Sequence, residues 1–130
     1  MAGMAASLDD VVLEIRELDA KFERNAMSGS AKTLVEGFYA EDAVVLAPGA
    51  PRMQGRSAIT AFWEGMLAAG VTDLTLRTAD ISASGDLAYG VGEYAASIGG
   101  ERREGKYVVV YRRQKDGRYK AVVDSFSESQ

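Results

Sequence analysis

Apolar positions in the first part of the chain recur at helical spacing. Val11, Val12, Ile15, Leu18, Phe22 and Ala26 lie three or four residues apart, which puts them on one stripe of a helix. Ser7 stands before that stripe with Asp10 three positions on, a variant of the capping box. The pattern predicts a helix from Ser7 to near Met27, broken by Ser28-Gly29-Ser30. Leu34, Val35 and Phe38 mark a short second helix with Ser30 as its cap. Ala40-Glu41-Asp42 then reads as a turn, and Ala43 to Leu46 as a short strand stopped by Pro48-Gly49 and Pro51. Gly55-Arg56-Ser57 opens a third helix, with Ser57 as the expected N-cap. Ile59, Phe62, Trp63, Met66 and Leu67 form its wide apolar face, and Gly70 ends it.

Beyond Gly70 the period changes to alternation. Leu74 and Leu76 alternate with Thr75 and Arg77, and the strand runs to the Ser84-Gly85-Asp86 turn. Leu87 to Ile98 is a second long strand, ended by Gly99-Gly100 and a charged loop through Gly105. Lys106 to Arg113 and Arg118 to Ser127 follow, joined at the hairpin signal Asp116-Gly117. Helices first and a strand meander afterwards predict an α+β domain, its helices packed on one face of an antiparallel sheet. One domain spans residues 1–130, with residues 1–6 as a loose tail.

The last hairpin can be registered from its turn. A two-residue Asp116-Gly117 turn sets Phe126 opposite Tyr107, Asp124 opposite Val109 and Val122 opposite Tyr111. Opposed residues share a face. One face then carries Tyr107, Val109, Tyr111, Val122, Asp124 and Phe126, and the other Val108, Val110, Ala121, Val123 and Ser125. Both are apolar, so both are covered. Helices cover one; the expected cover for the other is a second subunit, making a homodimer through the outer sheet face.

Composition narrows the chemistry. The charge of −4 disfavours a nucleic-acid partner, which calls for a basic patch, and an anionic membrane surface. No apolar run reaches transmembrane length, and no secretory signal opens the chain, so a cytoplasmic protein is expected. Cysteine and histidine are both absent, which removes thiol nucleophiles and the commonest metal ligands. No cofactor or metal site is expected. Acid–base work is left to carboxylates, tyrosines, lysines and water.

Asp124, on the aromatic face, is the first candidate acid or base, since desolvation raises a carboxyl pKa. Alternatively it is structural, bonded to a tyrosine hydroxyl or to Arg56. Glu93 is the second candidate. Its strand alternates Tyr89, Val91, Glu93 and Ala95 with Ala88, Gly90, Gly92 and Tyr94. The first set is assigned to the pocket and the glycines to the back; the alternative for Glu93 is a solvated place near the rim. Phe22, Tyr39, Met53, Trp63, Tyr89, Tyr107, Tyr111 and Phe126 are the candidate lining for a small hydrophobic ligand, or else core. Gly90-Val91-Gly92-Glu93-Tyr94-Ala95 matches a dinucleotide fingerprint only in its letters, because it lies within a strand.

Tyr39-Ala40-Glu41-Asp42-Ala43, Pro48 and Gly55-Arg56-Ser57-Ala58-Ile59 leading to Phe62-Trp63 resemble the NTF2-like superfamily. So does the ending, Gly105 to Arg113, Asp116 to Lys120 and Asp124-Ser125-Phe126, which looks most like its DUF4440 branch. The resemblance implies a cystatin-like cone of helices on a curved sheet, as in ketosteroid isomerase and the SnoaL-like polyketide cyclases. It also shows departures. The isomerase's catalytic Asp before the proline corresponds to Ala47, its first-helix tyrosine falls near Phe22-Glu23, and its second acid falls near Val109. Ketosteroid isomerisation is therefore not expected. Two functions stay open: an enzyme acting on a small hydrophobic substrate through carboxylate and tyrosine chemistry, SnoaL-like, or a non-catalytic ligand-binding or dimeric assembly module. A cavity closed to solvent but polar at one end favours the first; a cavity filled by side chains favours assembly.

Overall fold

In the computed structural model, which describes residues 7–129, the apolar stripe does form one helix, α1 (Leu8–Ser28). Ser7 accepts the Asp10 N–H at 3.1 Å, and Gly29 closes the far end in the left-handed conformation at φ 81°. Val11, Ile15, Leu18, Phe22 and Ala26 are buried along it. The expected tail over 1–6 lies outside the described residues. Ser30 caps α2 (Ala31–Phe38) through the Thr33 N–H at 3.2 Å. The strand β1 (Tyr39–Leu46) follows with no loop between.

Ala40-Glu41-Asp42 is therefore part of a strand and not a turn. Tyr39 pairs with Ala121 but the next pairing is Val44 with Val123, so the intervening residues leave the ladder, Glu41 and Asp42 reaching solvent while Ala40 and Ala43 stay buried. A two-residue strand, β2 (Met53–Gln54), pairs with Val44 and Val45. Helix α3 (Arg56–Ala68) starts two residues earlier than a Ser57 cap implies. Gly55, at φ 90°, takes the cap position without a side-chain bond, and Ser57 lies inside the helix.

The meander is β3 (Val71–Ser84), β4 (Leu87–Ile98), β5 (Glu101–Arg113) and β6 (Tyr119–Glu128). The six strands run β2-β1-β6-β5-β4-β3, antiparallel except where β1 lies parallel to β6. Glu101 to Glu104 is strand rather than loop, because Gly99 and Gly100 alone make the turn. Their φ values of 59° and 82° suit a two-residue hairpin.

The last hairpin holds two compensating irregularities. Gly117 sits at φ 86°, and Gln114 and Arg118 close a loop one residue longer than the two-residue turn. The ends therefore pair Tyr111 with Ala121, not with Val122. An extra residue at Val122 restores the register, so Val109–Asp124 and Tyr107–Phe126 pair as expected. Ala121 is consequently turned into the core and is fully buried.

Phe22 meets Phe38 edge-on at 4.9 Å and Trp63 at 5.3 Å between ring centres, and Phe38 meets Tyr39 at 5.0 Å. These rings join the three helices to β1. Full burial of each such side chain contributes about 1.5–3 kcal/mol. Helix α1 also grips β3 by polar bonds: Glu23 accepts the Leu76 N–H at 2.7 Å, and Arg16 donates to the Thr78 carbonyl at 3.0 Å. Among the described residues no helix is long and apolar enough to cross a membrane.

Candidate functional site

Asp124 stands on β6 between Val109 of β5 and Val45 of β1, and all three face the helices. Its Oδ2 accepts the Tyr39 hydroxyl at 2.6 Å, and that hydroxyl accepts the Trp63 indole N–H at 3.3 Å. Tyr39 is held at its other end, where Arg56 donates to its carbonyl at 2.7 and 3.0 Å. Arg56 thus touches the tyrosine and not the carboxylate. Burial pushes the Asp124 carboxyl from 3.8 up to about 6; the Tyr39 bond opposes this and the charge of Asp19 adds to it. The Tyr39 phenol is pushed well above its ordinary range by burial and by Asp124.

A second carboxyl group was missed in the sequence. Asp19 lies on the apolar stripe of α1, four residues after Ile15 and three before Phe22, and is only 7% exposed. An acid in that stripe was the signal. Its Oδ2 accepts the Thr78 hydroxyl at 2.6 Å, and the Thr78 oxygen lies 2.7 Å from the Tyr107 hydroxyl. Burial raises Asp19 from 3.8 to about 6; the Thr78 bond opposes that, Glu23 adds to it and Arg16 lessens it.

Asp19 and Asp124 border a cavity of about 310 Å³ between the helices and the sheet. Its walls are mostly apolar, with Phe22, Phe38, Phe62 and Trp63 from the helices and Leu74, Leu76, Tyr94 and Phe126 from the strands. Arg103 and Glu128 also border it, joined at 3.1 Å. The strand reading of Glu101 to Glu104 thus matters for the site, since Arg103 would otherwise stand on a loop. Among the described residues no group of three or more carboxylates is placed to hold a metal ion.

The sequence-derived candidates divide. Phe22, Trp63, Tyr107, Phe126 and Asp124 border the cavity. Tyr39 lies behind Asp124, fully buried. Tyr111 is fully buried core and does not line the cavity. Met53 packs at the edge of the core on β2, also off the cavity. Tyr89 and Glu93 belong to the opposite face, a correction to the assignment of β4. Gly90 and Gly92 pair with Val109 and Tyr107, so the glycines face inward. A Cβ on Gly92 would meet the Tyr107 hydroxyl at 2.6 Å, and one on Gly90 the Thr78 methyl at 2.8 Å. Neighbouring side chains occupy the space that glycine leaves. Tyr89 is 45% exposed, and Glu93 sits in solvent, paired in register with Arg77 and Lys106.

A family profile described as a SnoaL-like domain matches residues 21–122. An NTF2-like protein with a cystatin-like fold from Novosphingobium aromaticivorans is 27% identical and superposes with a TM-score of 0.79, covering 93% of this chain and 83% of that one. A proposed dehydratase of the NTF2-like family from Streptomyces avermitilis is 19% identical with a TM-score of 0.78, covering 95% and 99%. A ketosteroid isomerase-like protein from Erwinia carotovora atroseptica is 13% identical with a TM-score of 0.77, covering 91% and 95%. The last two likenesses speak to the fold alone. No curated protein matches the sequence.

Proposed function

This chain belongs to the SnoaL-like domain family and has the NTF2-like fold, and on that footing we propose that it binds a small apolar molecule between helices and sheet and acts on it by acid–base chemistry. The observation that carries this reading is the pairing of an aromatic-walled cavity with two buried carboxyl groups whose pKa is raised to about 6. A carboxyl poised there exchanges its proton near neutrality, as a general acid or base must. The same cavity without chemistry would serve a binding module, the runner-up reading. The acidic, cysteine-free composition is compatible with a cytoplasmic setting.

Asp124 is the proposed acid–base group and Tyr39 the residue that positions it. Asp124→Asn is nearly isosteric and keeps an oxygen for the Tyr39 hydroxyl, so the fold should persist. The test is a thermal-shift screen of small apolar alcohols, phenols and ketones against both proteins. Binding to the wild type should weaken about tenfold or more in the variant, the scale of one hydrogen bond to a charged group. If no such molecule raises the wild-type melting temperature, the reading is lost. Binding that survives Asp124→Asn with turnover absent from both proteins favours the binding module.

The homodimer belongs to this proposal as well. Tyr89, Val110, Val123 and Val44 are in register across four strands on the outer face, and Val91, Val108, Ser125 and Leu46 form the next row. A second copy would cover these rows.

A further inference from the structure

Counting hydrogens in the polar end of the cavity leads beyond the acid–base reading, on which this inference rests. Thr78 has one hydroxyl hydrogen and gives it to Asp19 Oδ2 at 2.6 Å. The 2.7 Å contact between the two hydroxyls must then be Tyr107 donating to Thr78. Tyr39 gives its hydrogen to Asp124, and Trp63 gives its N–H to Tyr39. While both carboxyl groups are ionised, these four donors are all committed to protein acceptors. What Asp19, Asp124 and Tyr107 hold toward the cavity is lone pairs.

The Thr78 link can run the other way. A proton taken up on Asp19 Oδ2 makes that oxygen the donor to Thr78. Thr78 then donates to Tyr107, and the Tyr107 hydrogen is released toward the cavity. Each oxygen keeps one hydrogen, and the only proton gained is the one on Asp19. Thr78 is 2% exposed and Asp19 and Tyr107 are each 7% exposed, so the links are shielded from bulk solvent. Gly92 leaves the space that the Tyr107 hydroxyl takes, and Gly90 the space of the Thr78 methyl.

We propose that Asp19, Thr78 and Tyr107 form a reversible hydrogen-bond chain that sets whether Tyr107 offers a ligand a lone pair or a hydrogen. The ligand class taken with Asp19 ionised is an apolar molecule bearing a hydroxyl. Its carbonyl counterpart is favoured once Asp19 is protonated. The groups that bias this switch come from every side. Arg16 and Glu23 of α1 act on Asp19 directly, Tyr111 of β5 and Asp124 of β6 are coupled to it, and Tyr94 of β4, Arg103 of β5 and Glu128 of β6 line the same cavity.

The chain can be tested without a ligand. Carbon-13 NMR of labelled aspartate and tyrosine follows the Asp19 carboxyl and the Tyr107 Cζ from pH 4 to pH 8. In the wild type the Tyr107 signal should move with the Asp19 midpoint, near 6. Thr78→Val should uncouple the two, and Thr78→Ser should restore the coupling. A Tyr107 signal that ignores the Asp19 titration, or that follows it equally in Thr78→Val, overturns the proposal. The ligand class is tested with 2-naphthol and 2-acetonaphthone, titrated at pH 7.5 and pH 5. The preference for the naphthol should fall about tenfold on acidification, one hydrogen bond's worth, and Thr78→Val should abolish the change. Coupled NMR titrations with neither probe bound would uphold the chain and overturn the ligand assignment together with the cavity reading. Naphthol preference unchanged with pH would overturn the ligand assignment alone.

Discussion

Asp19 and Asp124 invert the usual effect of carboxylates on stability. An unfolded aspartate titrates near 3.8, whereas both of these titrate near 6 in the folded chain because burial disfavours their charge. Between those values the folded protein binds more protons than the unfolded one. These groups therefore stabilise the fold at acidic pH, and that contribution is lost as pH rises from about 4 to about 6. Each shift corresponds to on the order of 2–3 kcal/mol. Asp124→Asn removes one ionisation, so its stability relative to wild type should improve from pH 4.5 to pH 7.5. Urea unfolding of the two proteins across that range checks this. A difference independent of pH would mean that the Tyr39 bond and local solvation offset the burial of the charge.

At the level of elements, the informative strand is β4. The alternation along the strand assigns the glycine set to the covered back and the opposite set, with Tyr89 and Glu93, to the pocket. The inference failed because side-chain size was read strand by strand, while the space belongs to the neighbours: the Tyr107 phenol fills the place of a Gly92 side chain. Helical stripes and caps were legible at Ser7 and Ser30 because they depend on residues within one turn. The Val109–Asp124 pair agrees with the register read from a two-residue turn only because the extra residue at Val122 offsets the longer loop, and neither irregularity is written in a local pattern. Asp19, Thr78 and Tyr107 come from α1, β3 and β5, and no local pattern joins them. Gly92→Ala should cost about 1–3 kcal/mol, as overpacking does, because a Cβ would press on the Arg77 carbonyl oxygen as well as on Tyr107. Gly65→Ala is the control, exposed within α3 with nothing near its added methyl. It should be neutral or stabilising by up to about 1 kcal/mol. Chemical denaturation separates the two, and equal effects would remove the crowding argument.

For the whole molecule, the helices cover one face of the sheet and leave the other exposed. The outer side carries the two apolar rows, with Tyr89 at 45%, Val108 at 44% and Leu46 at 40% exposure. We propose that this exposed apolar surface is an association site, the usual role of such a patch. A second copy is the proposed cover, because rows that each cross four strands can meet their own image about a two-fold axis, the commonest arrangement in soluble oligomers. Charged residues flank the rows, Glu93 with Lys106 on one side and Arg112 on the other, as in the polar rim of an interface, while Lys120 turns its ammonium to the Glu36 and Gly37 carbonyls. Val110 lies within the first row and is half-buried before any partner arrives. Val110→Glu would place an unpaired charge in that interface, which is strongly unfavourable. Sedimentation velocity at micromolar concentrations should show the wild type as a dimer and the variant as a folded monomer with unchanged circular dichroism. A wild type that sediments as a monomer throughout that range would refute the homodimer. A variant that stays dimeric would move the interface off these rows while leaving the acid–base site, on the other face of the sheet, as proposed.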